Sequence, residues 1–159
     1  MQASFHVTLI HRASAKEHSD IWALYTDLYK AALQGKQKPP GNNHGDYNAS
    51  ATPSLGSARV RIERLIWDDR IMTFVTRILP QEPSSDPTML GNADTWPCAN
   101  DIPHVTIGTA GADVKPKESN DLLRRWLEVG AGDGTGIWET EVPNIKVLEG
   151  TVVAVMNRR

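Results

Sequence analysis

His6-Val7-Thr8-Leu9 near one end of the chain returns as His104-Val105-Thr106-Ile107 near the other, and the reading of these two stretches decides the fold. In each copy the histidine and the threonine are two residues apart, and the flanking Phe5, Val7, Leu9, Ile10, Val105 and Ile107 are bulky or β-branched. That composition predicts a strand for each copy, and side chains alternate across a strand, so each His shares a face with its Thr. With five histidines among 159 residues and twelve threonines, about 0.4 His-x-Thr pairs arise by chance. Requiring Val between them and Leu or Ile after, twice, lowers that to roughly one in ten thousand.

Working outward, Ser19-Asp20 can cap a helix in which Ile21, Leu24, Tyr25, Leu28 and Ala32 recur at helical spacing, with Gly35 as its stop. That stripe reads as core. Residues 36–57 are rich in Gly, Asn, Pro and Ser and read as a long loop, with His44 and Tyr47 as weak candidates for substrate contact. Arg59 to Trp67 and Ile71 to Leu79 read as a hairpin turning at Asp68-Asp69. The two aspartates resemble a catalytic carboxylate pair, but aspartate is common in turns and a structural turn is the better reading. Arg59 and Arg61 can match phosphate geometry, but a solvated strand face is the better reading.

A second long loop, 80–100, delivers the chain to Ile102-Pro103-His104, and Trp96 within it either packs on the sheet or stacks on a base. After the second motif, Ser119 or Asn120 begins a helix carrying Leu122, Leu123, Trp126 and Leu127, stopped by Gly130. Ile137 to Val142 and Val147 to Met156 read as closing strands, a second hairpin. The order is strand, helix, hairpin, strand, helix, hairpin. The class is therefore α+β, and the repeat of motif is echoed by a repeat of architecture.

Composition narrows the function. The chain is 40% hydrophobic and 23% charged, enough for one domain with a real core. A formal charge of −2 excludes the broad basic surface of a protein that grips long nucleic acid, though not recognition of a strand end. No apolar run is long enough to span a membrane and Met1 to His11 lacks the marks of a signal peptide, so an intracellular protein of cytoplasm or nucleus, without membrane contact, is expected. Cys98 has no internal partner and reads as an idle thiol. A motif strand so close to Met1 suggests a domain cut from a longer chain.

Brought side by side, the motifs would set two imidazoles and two hydroxyls around one cleft. In-line displacement at phosphorus needs a base on the entering oxygen and an acid on the leaving oxygen, and histidine serves either role near neutral pH. Threonine hydroxyls can donate to the non-bridging oxygens. No metal ligand spacing accompanies the histidines, so neither a metal nor another cofactor is expected. A Ser or Thr nucleophile with an oriented histidine would leave the duplication unexplained.

The two His-x-Thr-x motifs, each ending on an aliphatic residue, resemble the two-histidine phosphoesterase superfamily. Phe5 to Arg12, Trp67-Asp68-Asp69-Arg70-Ile71-Met72, and His104 to Thr109 running on to Lys115-Pro116-Lys117-Glu118-Ser119-Asn120 are similar to the C-terminal cyclic phosphodiesterase domain of fungal tRNA ligases, over essentially the whole chain, 1–159. The resemblance implies a two-lobed fold, a pseudo-twofold pair of antiparallel sheets flanked by helices with the His-x-Thr strands facing a central cleft. It implies His6 and His104 as the catalytic pair and Thr8 and Thr106 as phosphate ligands. The implied reaction opens an RNA-terminal 2′,3′-cyclic phosphate, on a tRNA 5′ exon, to a 2′-phosphate and a 3′-hydroxyl, with kinase and ligase domains elsewhere in the parent chain. A cyclic phosphodiesterase acting on mononucleotides, or a catalytically silent nucleotide-binding module of the same fold, fits the same residues.

Overall fold

The computed structural model describes residues 5–35, 52–81 and 95–155. After a 3-10 turn at Arg12–Ser14 come α1 (Ser19–Gly35), the hairpin β1 (Ser54–Trp67) and β2 (Ile71–Ile78), then β3 (His104–Thr109), α2 (Glu118–Val129) and β4 (Trp138–Val153). The described strands form one antiparallel sheet in the order β3-β2-β1-β4. The α+β class holds, and this single sheet stands where the sequence reading expects a pair.

The hairpin turns where the sequence places it. Asp68 Oδ1 accepts the backbone N–H groups of Arg70 at 2.8 Å and Ile71 at 2.9 Å, and its Oδ2 pairs with Arg125 on α2. Three of the carboxylate's acceptor sites are thus spent on the turn and on α2, and the side chain is 6% exposed, which fits a structural role. Residues 71, 73 and 75 of β2 then point to one face, where Ile71 and Val75 join Ile66, Val114, Leu122, Leu123 and Ile137 in the core. Leu122, Leu123 and Trp126 fall on one stripe of α2, and burying Leu122 and Leu123 contributes roughly 1.5–3 kcal/mol each. Gly130, with φ 74°, ends the helix in the left-handed region and donates its N–H to Trp126 O at 2.9 Å.

Three local expectations are corrected. The stripe on α1 is half-buried rather than core, because the helix packs on a loop: Tyr25 lies parallel to the Trp96 ring with centroids 6.0 Å apart and donates its hydroxyl to Pro97 O at 2.7 Å. The closing hairpin is one continuous strand. Between the pairs Arg64↔Glu141 and Ile62↔Lys146, β1 contributes only Glu63 while β4 contributes residues 142–145, a bulge with Asn144 at φ 63°. Pro143 lacks the N–H a ladder needs, so the sequence signal for a turn becomes a bulge. Finally, the first motif forms no strand; Phe5 to Ile10 runs as irregular chain, because its carbonyls bond a loop instead of a strand.

Candidate active site

The second motif is built by ladder and helix together. His104 faces Val75 and Thr106 faces Thr73 across the β2–β3 pair, so both motif side chains lie on the sheet face that α2 covers. Thr73, with no exposure, donates its hydroxyl to Val105 O at 3.0 Å and pins the backbone between them. His104 is only 9% exposed, and its Nδ1 lies 2.8 Å from Ile102 O. A carbonyl oxygen only accepts, so Nδ1 carries the proton and Nε2 of the neutral ring keeps its lone pair.

Thr106 Oγ1 is 2.7 Å from the hydroxyl of Ser119 and 3.3 Å from Pro116 O, both at the start of α2. Its single proton therefore has a choice of acceptors, and when Ser119 donates, the Thr106 proton is free for a substrate oxygen. Ser119 is fully buried. Beyond it Glu118 accepts from Lys115 N at 3.1 Å and pairs with Arg70 at 3.0 Å, a bond that holds the Glu118 carboxyl below its ordinary range.

The first motif is held differently. Thr8 O accepts from Asn100 Nδ2 at 3.1 Å and lies 3.5 Å from Cys98 Sγ, while Leu9 O accepts from Ala99 N at 2.7 Å. His6 is exposed, Thr8 half-buried, and among the described residues no hydrogen bond joins His6 to His104. The motifs meet through the 98–100 segment that leads into the second of them. His11 is structural, its Nδ1 accepting the Ala13 N–H at 3.1 Å to cap the 3-10 turn.

The remaining candidates resolve into packing and pairing. Trp96 is 2% exposed and donates Nε1 to Ser57 O at 3.0 Å, so it is a core residue. Arg61 is bonded to Glu63 Oε1 at 2.7 Å and Arg59 to Pro80 O at 3.2 Å. Burial pushes the Cys98 thiol up, away from the thiolate a nucleophile needs. His44 and Tyr47 lie outside the described residues. Among the described residues no group of three His, Cys, Asp or Glu side chains is placed to hold a metal. Asn100, Ile102 and Ser119 were invisible as site residues in the sequence, since their roles come from contacts across the fold.

Residues 1–156 match the model of the fungal tRNA ligase phosphodiesterase domain. The chain belongs to that family. A relative described as tRNA ligase 1, from Schizosaccharomyces pombe, is 34% identical over 161 aligned positions, which cover 98% of this chain and 16% of the relative. The chain thus spans about a sixth of that relative's length. A solved structure described as a fungal RNA kinase superposes with a TM-score of 0.61 at 20% identity, covering 96% of this chain and 36% of that one, and supports the fold. Family membership makes the chain a phosphodiesterase domain of the fungal tRNA ligase type, consistent with the two-histidine superfamily.

Proposed function

We propose that the domain opens an RNA-terminal 2′,3′-cyclic phosphate with His104 as general base and His6 as general acid, Thr8 and Thr106 holding the non-bridging oxygens. The observation that carries the assignment is the bond from His104 Nδ1 to Ile102 O at 2.8 Å, which leaves Nε2 as the acceptor. Nε2 takes a proton from water, the water oxygen bonds to phosphorus, the P–O3′ bond breaks, and His6 gives its proton to O3′. The products are a 2′-phosphate and a 3′-hydroxyl. Each imidazole ends in the protonation state the other began with, and bulk water resets both.

This scheme needs the two imidazoles on opposite sides of one phosphate. The bond from Asn100 to Thr8 O supports it by keeping the first motif beside the segment that runs into the second. The choice of O3′ as leaving group rests on the family, because a cleft with two similar His/Thr pairs can hold the ribose either way. The RNA end as substrate, and kinase and ligase domains in a longer parent chain, belong to the same reading; a tRNA ligase relative about six times as long supports them. No helix among the described residues is long and apolar enough to cross a membrane, and we place the work in the cytoplasm or nucleus.

His6→Ala and His104→Ala test it. Each removes a proton-transfer group worth roughly 10²–10⁴-fold in rate. Turnover of a cyclic-phosphate-ended oligonucleotide should fall by that factor with the circular dichroism spectrum unchanged. Near-native rates in either variant would refute the two-histidine scheme, whereas no turnover by the wild type would favour a silent nucleotide-binding module.

A further inference from the structure

We propose that Ser119 is a positioning residue for the reaction: its buried hydroxyl donates to Thr106 Oγ1 and so turns the Thr106 proton toward one non-bridging oxygen of the cyclic phosphate. The inference rests on the reaction proposed above, in which Thr106 holds such an oxygen, and supplies the group that aims it.

Ser119 is out of place in its own stripe. With Leu122 and Leu123, three and four positions on, it forms the buried side of α2, where an apolar residue would pack without needing a partner. It has no exposure, so water cannot serve its hydroxyl. Among the described residues the only atom that hydroxyl bonds is Thr106 Oγ1 at 2.7 Å, the ordinary distance between two hydroxyls sharing a proton.

Burial decides which oxygen donates. If Thr106 gave its proton to Ser119, the Ser119 proton would be left dry and unmet, a state folded proteins avoid. If Ser119 donates, its own proton is met and the Thr106 proton must turn elsewhere. Thr106 is half-buried and shares its sheet face with His104, so of the two hydroxyls it is the one that can reach substrate.

The resting place for that proton is poor. Pro116 O lies 3.3 Å from Thr106 Oγ1, long for a hydroxyl donor, and it already accepts the Ser119 N–H at 3.1 Å. A charged phosphate oxygen is a stronger acceptor than a carbonyl already engaged, so the exchange is favourable. Donation from Ser119 polarises the Thr106 hydroxyl and strengthens it as a donor. Because the non-bridging oxygens carry charge in the transition state, the help falls mainly on kcat.

The test uses the whole domain and the two diastereomers of a short RNA ending in a 2′,3′-cyclic phosphorothioate, in which sulfur, a weak acceptor, replaces one non-bridging oxygen or the other. On the all-oxygen substrate Ser119→Ala should lower kcat roughly 3–10-fold, the worth of one hydrogen bond, with KM nearly unchanged. The loss should persist on the diastereomer that keeps oxygen toward Thr106 and nearly vanish on the other, and Thr106→Val should pick out the same diastereomer. In the Thr106→Val background Ser119→Ala should have no further effect on kcat. Ser119→Cys, which keeps nearly the shape with a weaker donor, should show the same selectivity with a smaller loss, and it decides the matter if the alanine variant does not fold. No loss, an equal loss on both diastereomers, or a loss that adds in full to that of Thr106→Val would overturn the inference while leaving the reaction standing. Inactivity of the wild type on the all-oxygen substrate would instead overturn the reaction itself.

Discussion

Replacing Asp68 by Ala separates its two readings, catalytic carboxylate or turn cap, because they predict losses in different quantities. The side chain is 6% exposed and makes two charge-assisted bonds, at 2.8 and 2.9 Å, to the N–H groups of Arg70 and Ile71, plus an ion pair to Arg125. Bonds to a charged acceptor contribute about 1.5–3 kcal/mol each when their partners are left dry. Arg70 is exposed, so about 1 kcal/mol suits its bond, whereas Ile71 is 2% exposed and its bond keeps about 1.5–3 kcal/mol. The half-exposed Arg125 adds about 0.2–1 kcal/mol. Asp68→Ala should therefore cost about 3–5 kcal/mol, which in a domain of this size lowers Tm by roughly 6–20 °C. Asp68→Asn keeps one oxygen for the two N–H groups and should lose about half as much. Asp69→Ala, at an exposed position, should lose almost nothing. Thermal melts monitored by circular dichroism, alongside turnover below the transition, measure both quantities. A Tm within about 1 °C of wild type in Asp68→Ala, combined with a hundredfold loss of turnover, would refute the turn assignment and make the carboxylate catalytic.

Three further outcomes are expected. Activity should survive excess EDTA and follow a bell-shaped pH curve, since one histidine works neutral and the other protonated; loss on chelation that a divalent ion restores would contradict this. Phosphorus NMR of the product from a short RNA ending in a cyclic phosphate should show a 2′-phosphate, and a 3′-phosphate would put O2′ opposite the attacking water. Gly56→Ala should destabilise the protein by about 1–3 kcal/mol, because a Cβ there would sit 2.8 Å from Trp96 Cζ2 at a backbone φ of 147° that side chains resist, and an unchanged Tm would show that the Trp96 stack gives way freely.

What was legible in the sequence is what local chemistry decides. The hairpin around Asp68, both helices with their glycine stops, and the strand of His104 follow from turn residues, caps and periodicity. Two expectations failed where the outcome depends on a distant partner. Phe5 to Ile10 has strand composition, but a strand exists only if another strand takes its carbonyls, and Ala99 and Asn100 take them here. Pro143-Asn144 carries a turn signal, yet β1 is long enough to pair with the chain on both sides of it, so the pair becomes a bulge inside one strand. The hydroxyl of Ser119, read only as a helix start, reaches Thr106 across 13 positions of sequence, and nothing local announces that.

The two motifs, nearly identical as text, are unequal as structure, and the inequality bears on their roles. His104 sits in a ladder strand, buried, with one ring nitrogen fixed by a carbonyl two residues away; its tautomer and direction are set before substrate arrives. A base that must aim a water at phosphorus along one line gains most from such fixing, since positioning supplies much of the barrier reduction. His6 is exposed and its motif is tethered through the Thr8 and Leu9 carbonyls, so its ring is oriented by no neighbour among the described residues. Protonating a leaving oxygen asks less of geometry than aiming a nucleophile, because the acid has only to reach an atom the bound ribose already places. The sequence repeat sets two equivalent histidines in the chain, and the fold buries one and exposes the other, which is the inequality the proposed roles rest on.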